Sequence, residues 1–142
     1  MPIPDAITRQ LRRLFSKKTL GQRGEAVAAR YLKRRGYKIV ARGDRQYGGE
    51  LDLVAVDGRT VVFVEVKTRK GQDTGHPSEA VDLGKQRRLT VLAVTYLKRY
   101  GLLEYPARFD VVAITWPQGK WRPKVEHFKD AFPALGHDEF YS

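Results

Sequence analysis

Apolar positions along the chain alternate between two periods. Over residues 20–35, Ala28, Ala29 and Leu32 recur at helical spacing, with Glu25 on the same stripe. Thr19 followed three residues later by Gln22 forms a capping box, and Gly36 supplies the stop. A longer helix opens at Ser78 and Glu79 and runs to about Tyr100, with Val81, Leu89, Leu92, Ala93, Tyr96 and Leu97 as its inward stripe. Elsewhere the period falls to that of a strand. Residues 37–42 read as a short strand, residues 48–68 as a hairpin turning at Asp57-Gly58, and residues 108–115 and 124–128 as two further strands. Residues 43–47 and 68–77 read as polar loops, and Trp116 and Trp121 as a cross-strand pair flanking the turn at residues 117–120. Ile7, Leu11, Leu14 and Phe15 mark a basic amphipathic helix over residues 5–18. This order predicts an α/β fold with a mixed central sheet of about five strands flanked by helices. It divides the chain into a basic extension over residues 1–18, a main domain over 19–132 and a frayed tail over 133–142.

The hairpin carries an excess of acids. Alternation puts Glu50, Asp52, Val54 and Val56 on one face of its first strand and Leu51, Leu53 and Ala55 on the other. On the second strand Val61, Phe63, Glu65 and Lys67 share a face opposite Val62, Val64 and Val66. A two-residue loop sets Glu50 opposite Glu65, and a four-residue loop sets Asp52 opposite Glu65; both registers gather the acids and Lys67 on one face. Neighbouring carboxylates repel unless a proton or cation compensates. The plainer reading is a solvated face, but Val54, Val61 and Phe63 share that face and favour a partly buried site. Glu25 either complements its helix dipole or reaches the sheet as a further ligand, and spacing leaves both open.

The chain has no cysteine, and His76, His127 and His137 show no ligand spacing. Oxygen donors alone suit magnesium or manganese. Asp52, Glu65 and the backbone carbonyl of Val66 form a candidate metal site, beside which Lys67 can position a water or stabilise a developing anion. Lysine and arginine number 27 against 16 acids, a net charge of +11 that fits a phosphate-rich partner. Arg45, Arg69, Lys70, Lys85, Gln86, Arg87 and Arg88 are the candidate nucleic-acid contacts. No apolar run approaches the roughly 20 residues of a membrane span. Together with the missing cysteines this places the expected compartment in the cytoplasm.

The spacing Asp52, Glu65-Val66-Lys67 resembles the signature of the PD-(D/E)xK nuclease superfamily. A wider set resembles the bacterial YraN-type family: Gly24-Glu25-Ala26, Tyr31-Leu32, Gly36-Tyr37, Gly49-Glu50-Leu51-Asp52-Leu53, Phe63-Val64-Glu65-Val66-Lys67-Thr68-Arg69, Glu79-Ala80-Val81, Lys85-Gln86 and Arg108-Phe109-Asp110-Val111-Val112. The resemblance implies a restriction-endonuclease-like fold and distant similarity to archaeal Holliday-junction resolvases. It also implies metal-dependent cleavage of DNA, with branched or structured DNA as substrate. Its active-site set falls on Glu25, Asp52, Glu65 and Lys67, with Glu25 joining the metal ligands. Residues 43–47 depart from the asparagine-containing pattern of the family. The competing expectation is a nucleic-acid-binding module that keeps the fold without turnover; cleavage of both strands would call for a homodimer.

Overall fold

The run Val61-Val62-Phe63-Val64-Glu65 is buried at every position, so the strand that carries it needs cover on both faces. A computed structural model, which describes residues 4–9, 19–71, 81–118 and 121–136, provides that cover. Strands β1 (Lys38–Gln46), β2 (Gly49–Asp57), β3 (Thr60–Lys70), β4 (Ala107–Trp116) and β5 (Lys124–Phe132) form one five-stranded sheet in that order. β3 and β4 run parallel, and the other neighbours are antiparallel. Helix α1 (Leu20–Arg34) packs on one face and α2 (Leu83–Arg99), the crossover that parallel neighbours require, on the other. This mixed sheet flanked by helices is an α/β fold consistent with restriction-endonuclease-like architecture. No helix of the described residues is long and apolar enough to cross a membrane.

The capping box forms as its residues dictate: the Gln22 N–H donates to Thr19 Oγ1 at 3.1 Å and the Thr19 N–H to Gln22 Oε1 at 3.0 Å. Gly36 ends the helix in the left-handed region at φ 90°, and the Tyr37 N–H closes back onto the Leu32 carbonyl at 3.0 Å. Ala28, Ala29 and Leu32 then pack against Leu53, Val62, Val64 and Val112. On the opposite face Leu89, Leu92, Tyr96 and Leu97 meet Val54, Phe63 and Phe109.

Several boundaries differ from the sequence pattern. β1 continues to Gln46 because Asp44, Arg45 and Gln46 pair with Leu51, Glu50 and Gly49, so the polar loop shrinks to a turn at Tyr47-Gly48. Thr68, Arg69 and Lys70 likewise remain strand, paired with Ile114, Thr115 and Trp116. α2 starts at Leu83, since Asp82 is extended and its side chain accepts from the Lys85 N–H at 2.8 Å; the expected start at Ser78 lies outside the described residues. β5 runs on to Phe132, and residues 133–136 are not frayed: Ala134 is buried and the Leu135 N–H donates to Thr90 Oγ1 at 3.0 Å. Trp121 precedes β5 and is 81% exposed, so it is not half of a cross-strand pair. Of the N-terminal helix, residues 5–9 are helical and residues 10–18 lie outside the described set.

Two contacts fix the frame around the site. Asp110 on β4 has no exposed surface and accepts hydrogen bonds from Arg108 Nε at 2.9 Å, His127 Nε2 at 2.8 Å and the Asp130 N–H at 3.0 Å. An ionised carboxylate only accepts, so the His127 proton sits on Nε2. Burial works to raise the Asp110 pKa, but the bonds from His127, Arg108 and Asp130 hold it below the ordinary range. The second contact is at Gly24, where a Cβ would meet Thr68 Oγ1 at 2.0 Å, so only glycine lets α1 approach β3 this closely.

Asp110→Ala should destabilise the fold by about 3–5 kcal/mol in urea titrations at neutral pH, because His127 and the Asp130 N–H lose their buried acceptor and Arg108 is left with Asp57 as its one acidic partner among the described residues. The folded-state pKa lies below the unfolded one, so this contribution is present above about pH 4 and the deficit should shrink as pH falls further. Gly24→Ala should cost roughly 1–3 kcal/mol through overpacking, and adding Thr68→Ala should recover part of it.

Candidate active site

The β2–β3 hairpin closes with Asp57 opposite Thr60 around Gly58-Arg59, and Gly58 takes φ 62° as such a turn requires. Val54 then pairs with Phe63 and Leu53 with Val64, which sets Asp52 level with Glu65. This is the second of the two expected registers, reached through a tighter loop. The paired ladder ends at Leu53 and Val64. One step further, Asp52 Oδ2 accepts from the Val66 N–H at 2.9 Å, so a side chain takes the place of the partner backbone. Alternation breaks at the same point. Leu51 packs in the α2 cluster while Leu53 packs in the α1 cluster, correcting the expected grouping of Leu51 with Leu53 and Ala55.

Into this opening α1 delivers Glu25, placed by the Gly24–Thr68 approach one residue away. Carboxylate oxygens of Glu25, Glu50 and Asp52 lie within 4.8 Å of one another. Glu65 is buried beside Asp52 and forms an ion pair with Lys85 of α2. Burial, then the Glu65 charge, push the Asp52 carboxyl up to about 7 against the opposing Val66 N–H. Glu25 is raised as well, by burial first and then by Glu50 and Glu65. Both shifts have the sign of a site short of positive charge. Lys67 is half-buried on β3 and makes no ion pair among the described residues. All the donors are oxygens, the set that suits a hard divalent cation.

The expected acids Glu25, Asp52 and Glu65 are thus brought together, and Glu50, which strand alternation put on their face but the family resemblance left out of the active-site set, joins Glu25 and Asp52. Its signal was the pair Glu50 and Asp52 two residues apart ahead of a bounded turn. The expected basic contacts divide. Lys85 is held by Glu65, Arg45 lies 3.5 Å from Glu50, and the Gln86 side chain donates to the Val81 carbonyl at 2.9 Å, so these three face partners within the chain. Arg87 and Arg88 are exposed on α2, Lys70 is exposed at the end of β3, and Arg69 is half-buried within that strand. Sequence reading passed over Arg23, Arg30 and Arg34, whose spacing of seven and four puts them on one outer stripe of α1.

The elements that carry the acids coincide with a recognised family. Residues 24–114 match the model of Uncharacterised protein family UPF0102, a span from the close-approach Gly24 into β4. A UPF0102 protein of Rhodopirellula baltica is 48% identical over 125 residues, covering 86% of this chain and 75% of its own length. A UPF0102 protein of Geotalea uraniireducens is 50% identical over 115 residues, 81% of this chain and 90% of the relative. One from Rhodococcus jostii is 50% identical over 113 residues, 80% and 95% respectively. A family match over more than half the chain, with relatives at such identity over 75–95% of their own length, means that the chain belongs to the UPF0102 family.

Proposed function

We propose that the protein is a metal-dependent nuclease that hydrolyses phosphodiester bonds in DNA, with structured or branched DNA as its substrate. The observation that carries this reading is the meeting of Glu25 from α1 with Glu50 and Asp52 from β2, with Glu65 alongside on β3 and Lys67 on that same strand. Glu25, Asp52 and Glu65, with Glu50 and the Val66 carbonyl near by, are the groups that would hold magnesium or manganese. When bound, the ion supplies charge neutralisation at the phosphate and acidifies water. The residues of the chain do the rest. Asp52 is held in place by the Val66 N–H, Glu65 is paired with Lys85, and Lys67 offers a cation for the growing phosphate charge. The charge of +11 supplies attraction for a polyanion.

One observation favours a second reading, a binding module with little turnover: Glu65 already has a cationic partner in Lys85, which must yield before that carboxylate can ligate a metal. The two readings part in a single pair of experiments. Calorimetric titration of manganese should give binding to the wild type and about tenfold or greater weakening in Glu65→Ala, the scale typical of a disturbed metal site. Beside it, a panel of duplex, single-strand, flap and four-way-junction DNA should be cut in magnesium, with Lys67→Ala about 100-fold slower or worse. Heat without cutting would leave the binding module; neither heat nor cutting would remove both the metal and the nuclease reading.

The raised Asp52 pKa gives a prediction of opposite sign for stability. Its folded-state value, about 7, lies above the unfolded one, so the ionised carboxylate destabilises the metal-free fold increasingly from about pH 4 and fully above pH 7. Asp52→Asn should therefore raise Tm in chelator at pH 8, with the gain shrinking towards pH 4, while it abolishes cleavage. A lower Tm at pH 8 would show that the carboxylate is not short of charge.

A further inference from the structure

The nuclease reading leaves the outer face of α1 without a role. Three adjoining concavities of ≈ 590, ≈ 310 and ≈ 760 Å³ form a furrow there. Arg23, Trp116 and Trp121 wall the first two; Arg30, Trp121 and Arg122 wall the second and third. Lys70 stands at the near end, Arg34 and Arg35 at the far end, and none of the lining residues among those described is acidic. The furrow and the acid cluster share two elements, α1 and β3. Lys70 lies five residues beyond Glu65 on β3, about 16 Å at about 3.3 Å per residue, and Arg23 is two residues from Glu25.

Its chemistry is more specific than positive charge. The Arg23 guanidinium lies 4.9 Å from the centre of the Trp116 ring, Arg122 lies 5.0 Å from Trp121, and Arg35 lies 4.2 Å from Tyr31. Trp121 leaves 81% of its surface in water although a large apolar ring gains by burial. Guanidinium planes and indoles along a cationic track are the groups that bind an unstacked strand: the cations follow the phosphates while bases stack on the rings. A duplex offers the phosphates but keeps its base faces covered. An acidic peptide offers carboxylates but no flat faces to match the rings.

We propose that this furrow is a stacking platform for single-stranded nucleic acid, holding the unpaired strand that leads to or from the acid cluster. The proposal deepens the nuclease reading and rests on it only for the use of the bound strand, because binding itself needs no metal. It narrows the substrate to DNA with a single-stranded segment beside the scissile bond.

The test uses the intact chain in chelator. Trp116 and Trp121 are the two tryptophans of the sequence, so their fluorescence reads the furrow directly. A dT oligonucleotide of about 12 nucleotides should quench that emission. By anisotropy of the labelled strand, Trp121→Ala should weaken binding about tenfold or more, and Trp121→Phe should restore most of it. Duplex of equal length should bind without sensitivity to Trp121→Ala. The exposed position of Trp121 makes an unfolded variant unexpected, and an unchanged Tm verifies it. Equal affinity of wild type and Trp121→Ala for single strand would overturn the platform, as would displacement of the strand by polyglutamate of equal charge, the sign of a surface for acidic protein. Cleavage in magnesium is scored apart. A chain that stacks single strand but cuts nothing keeps the platform and loses the nuclease reading; one that cuts while Trp121→Ala changes neither affinity nor cutting loses the platform alone.

Discussion

The hydrogen bond from the Val66 N–H to Asp52 is the interaction on which the candidate site depends. Where the β2–β3 ladder stops, a strand would ordinarily leave its backbone donor to water or to another strand. Here a carboxylate accepts it, and β2 is free to turn so that Leu51 joins the cluster opposite to that of Leu53. The gap that results is wide enough for a helix side chain to enter. Glu25 does so, because Gly24 allows α1 to lie against Thr68. Remove the side-chain bond and the acids lose the geometry that makes them neighbours.

Much of this was legible in the residues. The strand and helix order and the capping box follow from periodicity and turn chemistry, the register was narrowed to two of which the structure takes one, and the family resemblance singled out Glu25, Asp52, Glu65 and Lys67. What escaped was long-range. Nothing local in Asp44-Arg45-Gln46 marks it as strand; pairing with Glu50 and Leu51 does. The polar residues Thr68, Arg69 and Lys70 are strand for the same reason, held by β4. Lys85 reads as a surface cation until α2 is docked and its ammonium meets Glu65. Trp121 reads as a partner for Trp116 until β5 is seen to begin after it.

The same sheet holds two acids in opposite electrostatic states. Asp110 is surrounded by Arg108, His127 and a backbone donor, and its pKa is low. Asp52 has one backbone donor, acidic neighbours and a raised pKa. Burial pushes both pKa values up and encloses Asp110 more completely than Asp52, so burial does not account for the opposite outcomes. The difference lies in whether the fold itself supplies the compensating charge. At Asp110 it does, and the group braces the structure. At Asp52 it does not, and the group remains available to something from outside.

The parallel pairing of β3 with β4 bears on how the molecule is made. Val62 is matched by Arg108, and every other β3 residue in the ladder by one equally far along the chain. During synthesis β3 therefore waits with an open valine-rich edge until more than forty further residues have emerged and α2 has turned the chain back. Such non-local pairing is slow to form, and an open edge of this composition is prone to join another chain. The net positive charge of the chain thus also acts before folding is complete, as repulsion between nascent copies whose sheets are still incomplete.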